Sequence, residues 1–517
     1  MSIAGCRAKV ACVQCPCRME KYHRVVIGED LPAKVVSISR IVHHREISKL
    51  AKIVHPGNIS ELAKFNACIM YELQENNTMD KVECEKKDVL FMFGVPTQML
   101  FIEAFLQNNR LDNITQVIGF HPHYLDAFLR TQQFLLRGDG PLPYDYRHYI
   151  ALMAAGRHQC TYLINQLKEE FLKQGGEPRW LEGLQNIPQK LRDIYEINKI
   201  LAHRPWLLKQ VHIEKLTKGK DNWSISEVVH AVVILAHYHS LASFVFGCGI
   251  NPEIDHENGH TFRPPSPPND GNVTSTSMTN SSGRSSPQGM DIDCGVETLM
   301  NRMKTLSEQS QLEETPYEEL VKRFEKVESS TLELTLDIDV VSTPRGDVSR
   351  YIQDSQFVYQ DFAKRGELTD IPTFRVQDYS WDDHGFSLAN RLYNEVGTLL
   401  DEKFKKAYNL TYNTMANRNN VDTTMFRRAI WNYIHCMFGI RHDDYDYSEV
   451  NQLLERKLKG FIKTVCCYPE KTTKKEYDSV MREFKHSEKV HVNLMILEAR
   501  LQAELLYALR AVMQYMT

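Results

Sequence analysis

The chain has 517 residues, 42% of them hydrophobic, and carries a net charge of −4. That is room for about two to four ordinary domains, and no overall basicity points to nucleic acid or to an anionic membrane as a partner. Its twelve cysteines are scattered irregularly, which reads as free thiols in a reducing compartment rather than as a disulfide framework.

Residues 1–85 read as a partly disordered N-terminal extension. Short helical patterns at 45–73 are broken by Pro56–Gly57, and the first residues lack the sustained apolar core of a signal peptide. Cys12, Cys15 and Cys17 form a CxxCxC run, with Cys6 nearby. The spacing is irregular and no second ligand pair follows, so no metal site is expected. From about residue 88 the pattern turns helical: "DVLFMFGVPTQMLFIEAFLQNNR" and "HPHYLDAFLRTQQFLLRGDG" place apolar residues three and four apart. Residues 144–155 predict a helix ending at Gly156. A second starts near His158 and runs to Gly175–Gly176, with Cys160 in its first turn.

Cys160 has two readings at this point. A helix N-terminus with Arg157 and His158 close by would favour a reactive thiolate. Yet Cys160, Leu163, Ile164, Leu167 and Phe171 share one helical face, the pattern of a packing cysteine.

Further on, Ser224 and Glu227 fit a capping box, with Trp223 and Val228 as its hydrophobic staple. The run "VVHAVVILAHYHSLASFVFGCGI" holds three histidines and two serines and reads as a buried helix, not a membrane span. His230, His237 and His239 have no carboxylate at a diagnostic interval and read as packed or hydrogen-bonded core residues. Residues 255–290 are rich in Pro, Ser, Thr, Asn and Gly and read as a disordered linker. Ser266–Pro267 and Ser286–Pro287 fit either phosphorylation sites or plain linker composition. A charged helical stretch follows at 296–328, then a β-prone "STLELTLDIDVV". From about residue 380 helical patterns continue to a long apolar-rich terminal helix. The expected fold is all-α, with helical domains at 86–254 and 346–517 joined by a region at 255–345.

Within 404–431 a polar run, "LTYNTMANRNNV", interrupts two helical patterns. Asp422 is a plausible N-cap for a helix reaching Phe438 before Gly439. Its apolar stripe includes Phe426, Ile430 and Ile434, and Arg427 lies off the centre of that stripe. A free amino acid needs an arginine for its carboxylate, an acid for its ammonium, hydroxyl donors and an apolar wall. Those residue types are all present in this half. A helix-surface arginine beside an ordinary loop is the plainer account of them. "RHDDYDY" adds an acidic cluster of Asp443, Asp444 and Asp446, which fits a solvated loop. No Walker loop or dinucleotide fingerprint is evident, and no cofactor is expected.

"PYDYRHYIALMAAGRHQCTYL", "NKILAHRPWLL", "HSLASFVFGCGINPEID", "RRAIWNYIHCMFGIRHDDYDY", "CYPEKTT" and "HSEKVHVNL" together resemble the sestrin family over roughly 88–255 and 345–517. The resemblance implies two halves similar to the alkylhydroperoxidase AhpD fold, in a stress regulator of the cytoplasm and nucleus. It implies that Cys160, with Tyr162 beside it, matches the family's redox cysteine. The AhpD pattern Cys-x-x-Cys-x-x-x-His meets Leu163 and Leu167 here, so the resolving thiol and the histidine are both missing. A lone thiol would need an external thiol to turn over hydroperoxide. The resemblance further implies leucine sensing. Arg427 would hold the carboxylate, Glu488 the ammonium, and Thr411, Tyr412, Asn413, Thr414 and Thr423 would form a lid. Met481 stands where vertebrate members place a floor tryptophan, which implies weaker leucine binding or a preference broadened to methionine or isoleucine. Asp443 and Asp444 match a surface implicated in contacting the GATOR complex upstream of TOR kinase.

Overall fold

The structure, a computed structural model, describes residues 95–108, 110–218, 222–253, 295–309, 315–334, 348–367 and 371–517. The N-terminal cysteine run, the helical patterns at 45–73 and the 255–290 linker lie outside the described residues. So does the β-prone stretch beyond Leu334.

The chain divides into two compact units, residues 1–122 and 123–517. In the first, the described elements are α1 (Val95–Asn108) and α2 (Asn113–Ile118). Thr97 Oγ1 donates to the Gly119 carbonyl at 3.4 Å, and Phe101, Ala104 and Ile118 are buried.

The second unit is helical, as expected. Its main elements are α3 (Pro122–Arg137), α4 (Tyr144–Arg157), α5 (Thr161–Lys173), α6 (Tyr195–His203), α7 (Ile225–Cys248), α8 (Val296–Gln309) and α9 (Tyr317–Ser330). After β1 (Phe374–Arg375) come α10 (Val396–Asn409), β2 (Thr414–Met415), β3 (Arg418–Asn419), α11 (Thr424–Met437) and β4 (Ile440–Arg441). The chain closes with α12 (Arg456–Cys467), α13 (Lys474–Ser479) and α14 (His486–Met516). Strands among the described residues are two-residue bridges. β1 pairs parallel with β4, Phe374 opposite Ile440, and β2 pairs antiparallel with β3, Thr414 opposite Asn419.

The core is built on α7 and α14. α7 is apolar on every side, so it has no face to give to water, and its most apolar stretch is wholly buried inside the unit. It starts where the sequence marks it: Ser224 N–H donates to Glu227 Oε2 at 2.7 Å, and Glu227 N–H donates to Ser224 Oγ at 3.2 Å. A cap of this kind contributes about 1 kcal/mol. α14, 31 residues long, lies along α7. At Gly247 a Cβ would meet Asn493 Oδ1 at 2.1 Å and Val465 Cγ1 at 2.9 Å. Glycine lets the three helices close at that point with the Asn493 and Val465 side chains where they stand.

Two buried ionic networks cross this core. Arg500 donates to Glu504 at 2.9 Å, Ser243 at 2.7 Å, the Cys466 and Ala202 carbonyls at 2.8 and 3.0 Å, and His158 Nε2 at 2.7 Å. Glu504 also contacts His239 Nδ1 at 2.8 Å, and His239 Nε2 meets Asn198 Oδ1 at 2.8 Å. Burial and the Arg500 charge hold His158 neutral, its pKa well below the imidazole range. In the second network Lys403 pairs with Glu498 at 2.9 Å, and the Tyr124 hydroxyl donates to the same carboxylate. Buried charges survive only when paired and hydrogen-bonded. These networks therefore fix how α4, α7, α10 and α14 seat on one another.

Candidate functional site

Cys160 does not sit in the first turn of a helix that starts at His158. α4 runs through Gly156 to Arg157, and Cys160 is the residue capping α5. Its side chain is fully buried, and that burial pushes the thiol up to about 12, against the opposing pull of the Leu163 and Tyr162 backbone N–H groups. The two neighbouring basic residues are engaged elsewhere, and His158 is neutral. Arg157 donates to the carbonyls of Gln353, at 2.7 Å, and of Asp354 and Phe357, while His158 accepts from Arg500. Tyr162 is equally buried and donates to the Glu253 carboxylate. Leu163, Ile164, Leu167 and Phe171 are all buried beside Cys160 on the face the periodicity predicts. The arrangement is that of a packing thiol, protonated and closed to solvent.

The polar run after α10 is a β-hairpin rather than an irregular loop. β2 and β3 flank Ala416 and Asn417, and Asn413, Ala416 and Asn420 all take left-handed backbone conformations. The hairpin's short, polar strands gave no alternation to read. Thr411, Tyr412 and Asn413 are exposed on it, and Thr414 is half-buried. Its tip is tied to α14: the Ala416 N–H donates to Glu488 Oε2 at 3.0 Å, and the Lys485 N–H donates to the same oxygen at 2.8 Å. Glu488 Oε1 is buried and accepts no hydrogen bond among the described residues.

Arg427 is buried in the first turn of α11, which Thr423 caps one residue later than Asp422. Asp422 Oδ1 still supports the turn, accepting from Thr424 N–H at 2.9 Å and Thr424 Oγ1 at 2.6 Å. The guanidinium donates through Nε to Thr423 Oγ1 at 3.1 Å, through one terminal nitrogen to the Tyr408 carbonyl, and through the other to Thr424 Oγ1 at 3.1 Å. Three of five N–H groups are thereby used, and one remains on each terminal nitrogen. No carboxylate pairs with Arg427 among the described residues, and burial pulls its pKa down. Thr424 and the Tyr408 carbonyl were not legible as site residues. Their role is to aim a neighbouring arginine.

Met481 is buried, with φ +49°. It lines a cavity of about 310 Å³ together with Phe426, and neither Arg427 nor Glu488 lines that cavity.

The acidic cluster divides. Asp443 is 7% exposed and is gripped by Arg441 at 2.6 Å and Arg375 at 2.9 Å. Asp446 pairs with Arg323 at 2.6 Å and accepts from Ser448. Only Asp444 of the three is exposed. Charge reversal at Asp443 therefore strikes the seating of β1 on β4, not a free acidic surface.

The family model described as PA26 p53-induced protein (sestrin) matches residues 84–516. Sestrin-1 of Xenopus laevis is 56% identical over 423 residues, 81% of this chain and 87% of the relative. The Sestrin homolog of Drosophila melanogaster is 51% identical over 467 residues, 79% and 93% of the two chains, and Sestrin-2 of Homo sapiens 53% over 424 residues, 81% and 87%. With a match of this extent across nearly all the described elements, the chain belongs to the sestrin family.

Proposed function

We propose that this protein is an intracellular sensor of a free amino acid, leucine or one close to it. It restrains TOR signalling by holding the GATOR complex and releases it when the amino acid binds. Two AhpD-like halves and residence in the cytoplasm and nucleus belong to the same reading. The observation that carries it is a pair of unmet charges. Arg427 is buried without a carboxylate partner and keeps one N–H on each terminal nitrogen, which is what a bidentate carboxylate takes. Among the described residues Glu488 keeps a buried oxygen with no donor, and an ammonium supplies one. A buried polar group left unpaired costs about 1–3 kcal/mol, so an α-amino acid that pairs both recovers free energy that water-exposed groups would not offer. The bond from the Ala416 N–H to Glu488 supports a lid role for the neighbouring Thr411–Asn413 segment.

Calorimetric titration of the purified chain tests this. L-Leucine should release heat, and leucinamide, which lacks the carboxylate, should not. Arg427→Lys loses the planar fork and Glu488→Gln loses the charge. Each should weaken binding about tenfold or more. Folded protein that gives no heat with leucine, isoleucine, valine or methionine would reject the reading.

A further inference from the structure

Tyr317 opens α9 and is 48% exposed. Its hydroxyl accepts from Arg441 Nη2 at 2.7 Å and donates to no acceptor among the described residues. Arg441 stands opposite Arg375 in the β1–β4 pair. Like charges on neighbouring strands repel, and Asp443 offsets that by accepting from Arg441 Nε at 2.6 Å and from Arg375 Nε at 2.9 Å. Arg375 lies within electrostatic reach of Tyr317 as well. Its terminal nitrogens make no hydrogen bond among the described residues. A tyrosine oxygen thus has two arginines beside it, with planar N–H pairs still to spend, and such forks suit a phosphate. Tyr144, 44% exposed and likewise first in its helix, differs: Arg147 lies over its ring, and no arginine meets its hydroxyl among the described residues.

α9 also grips the acidic segment further along. Arg323 pairs with Asp446 at 2.6 Å, and the Phe324 ring meets Tyr447 edge to face at 4.9 Å. We propose that Tyr317 is a phosphorylation site for a tyrosine kinase, and that its phosphate draws Arg375 off Asp443 and so loosens the segment that exposes Asp444. In the transfer the bond from Pγ of ATP to the ADP oxygen breaks and a bond from Pγ to Tyr317 Oη forms. The hydroxyl proton goes to the kinase's base, and ADP leaves. Extended backbone at Pro316 leads into Tyr317, and the end of a helix opens at low cost, so the ring can enter a kinase cleft. The phosphate brings a charge of about −1.5 to −2 and three acceptor oxygens. The two guanidiniums already serve Asp443, and Asp378 lies 4.0 Å from Arg375. A dianion outcompetes a single carboxylate for them. Arg375 is the one that moves, because its side chain is 42% exposed against 11% for Arg441.

The test treats the full chain with a broad-specificity tyrosine kinase domain and MgATP, and peptide mass spectrometry locates the phosphate. Tyr317 should be modified in the folded protein, and Tyr317→Phe should remove that signal. A folded chain left unmodified at Tyr317 would overturn the site. Phosphorus NMR then reads the modified protein. A solvent-exposed phosphotyrosine loses its second proton near about pH 6. Held by two arginines, this one should titrate about one unit lower, and Arg375→Gln should move it back. Amide exchange reads the loosening. The Val376 N–H donates to the Arg441 carbonyl at 3.0 Å, and the His442 N–H donates to Tyr447 Oη at 3.0 Å. Both should exchange about tenfold faster in the phosphorylated protein, the effect of losing one charge-assisted hydrogen bond. A phosphate that titrates like an exposed one, or unchanged exchange at these two amides in fully phosphorylated protein, would overturn the proposal.

Discussion

Alkylation of Cys160 in the native protein should be slower than that of a free thiol by about a thousandfold. The number follows from its surroundings. Burial pushes the thiol from its ordinary value of 9.0 to about 12, and three units of pKa remove about 99.9% of the thiolate present at neutral pH. Because the side chain is also fully buried, the observed rate has to include the cost of opening the α4–α5 junction. Labelling with N-ethylmaleimide, followed by peptide mass spectrometry on native and urea-unfolded samples, reads the ratio directly. The pH profile gives a second measurement: the native rate should keep climbing about tenfold per unit well above pH 9, where a free thiol levels off. Stability moves in the opposite direction, falling as pH rises. Below pH 9 both folded and unfolded thiols are protonated and contribute no slope. Above it the unfolded thiol ionises and the folded one does not, so this group removes about 1.4 kcal/mol per unit until the folded thiol ionises as well. Native labelling at the free-thiol rate, or a profile levelling near 9, would refute the account and restore Cys160 as a peroxidatic candidate. If the account holds, hydroperoxide turnover in Cys160→Ser should equal that of the unmodified chain.

Asp443→Ala should destabilise the second unit by about 2 kcal/mol, a figure tempered by the exposure of Arg375. Asp444→Ala should change it by less than about 0.5 kcal/mol, and denaturant midpoints compare the two. A GATOR pull-down lost only in the stable Asp444 variant would assign the contact to that residue. Arg500→Met leaves Glu504 buried without its cation and should cost about 4 kcal/mol. Adding Glu504→Gln should recover part of that loss, and a double-mutant cycle that shows simple additivity would sink the network's claim to act as a unit.

The sequence was most legible where burial is one-sided or total. α7 and α14 could be read as long helices because apolar residues recur along their whole length, and the Ser224–Glu227 box marks its own position. Cys160 stood between two readings because periodicity and helix-end chemistry both fit it, and only the surrounding burial separates them. The hairpin at 414–419 was invisible because two-residue strands have no period. The fate of Asp443 was equally hidden. "RHDDYDY" looks solvated, and nothing in it announces that Arg375, 68 residues earlier, closes over the second aspartate oxygen. Local pattern reports which side chains want burial. It does not report which distant charge arrives to satisfy them.

Arg427 and Arg428 face two different groups of partners. They are consecutive on the first turn of α11, so they point in different directions. Arg427 turns toward Thr423, Thr424 and the end of α10. Arg428 holds both oxygens of Glu449, at 2.7 and 3.0 Å, and lies 5.3 Å from the centroid of the Tyr445 ring. The segment that exposes Asp444 is thus anchored to the same helical turn that would meet a ligand carboxylate. Its other anchors include Arg441 and Arg375 on Asp443 and Arg323 on Asp446, on elements outside α11, and His435 further along α11, whose Nδ1 meets His442 Nε2 at 2.9 Å. A ligand shifts a partner-binding surface only by as much as it prefers one arrangement over the other. Of the contacts that seat this segment, the Arg428–Glu449 pair is the one that movement of α11's first turn would strain. Tyr408 at the end of α10 faces both groups, its carbonyl accepting from Arg427 and its side chain lying within electrostatic reach of Arg428, Glu449 and Asp444, so a shift of the first turn of α11 or of the end of α10 would be felt on both sides.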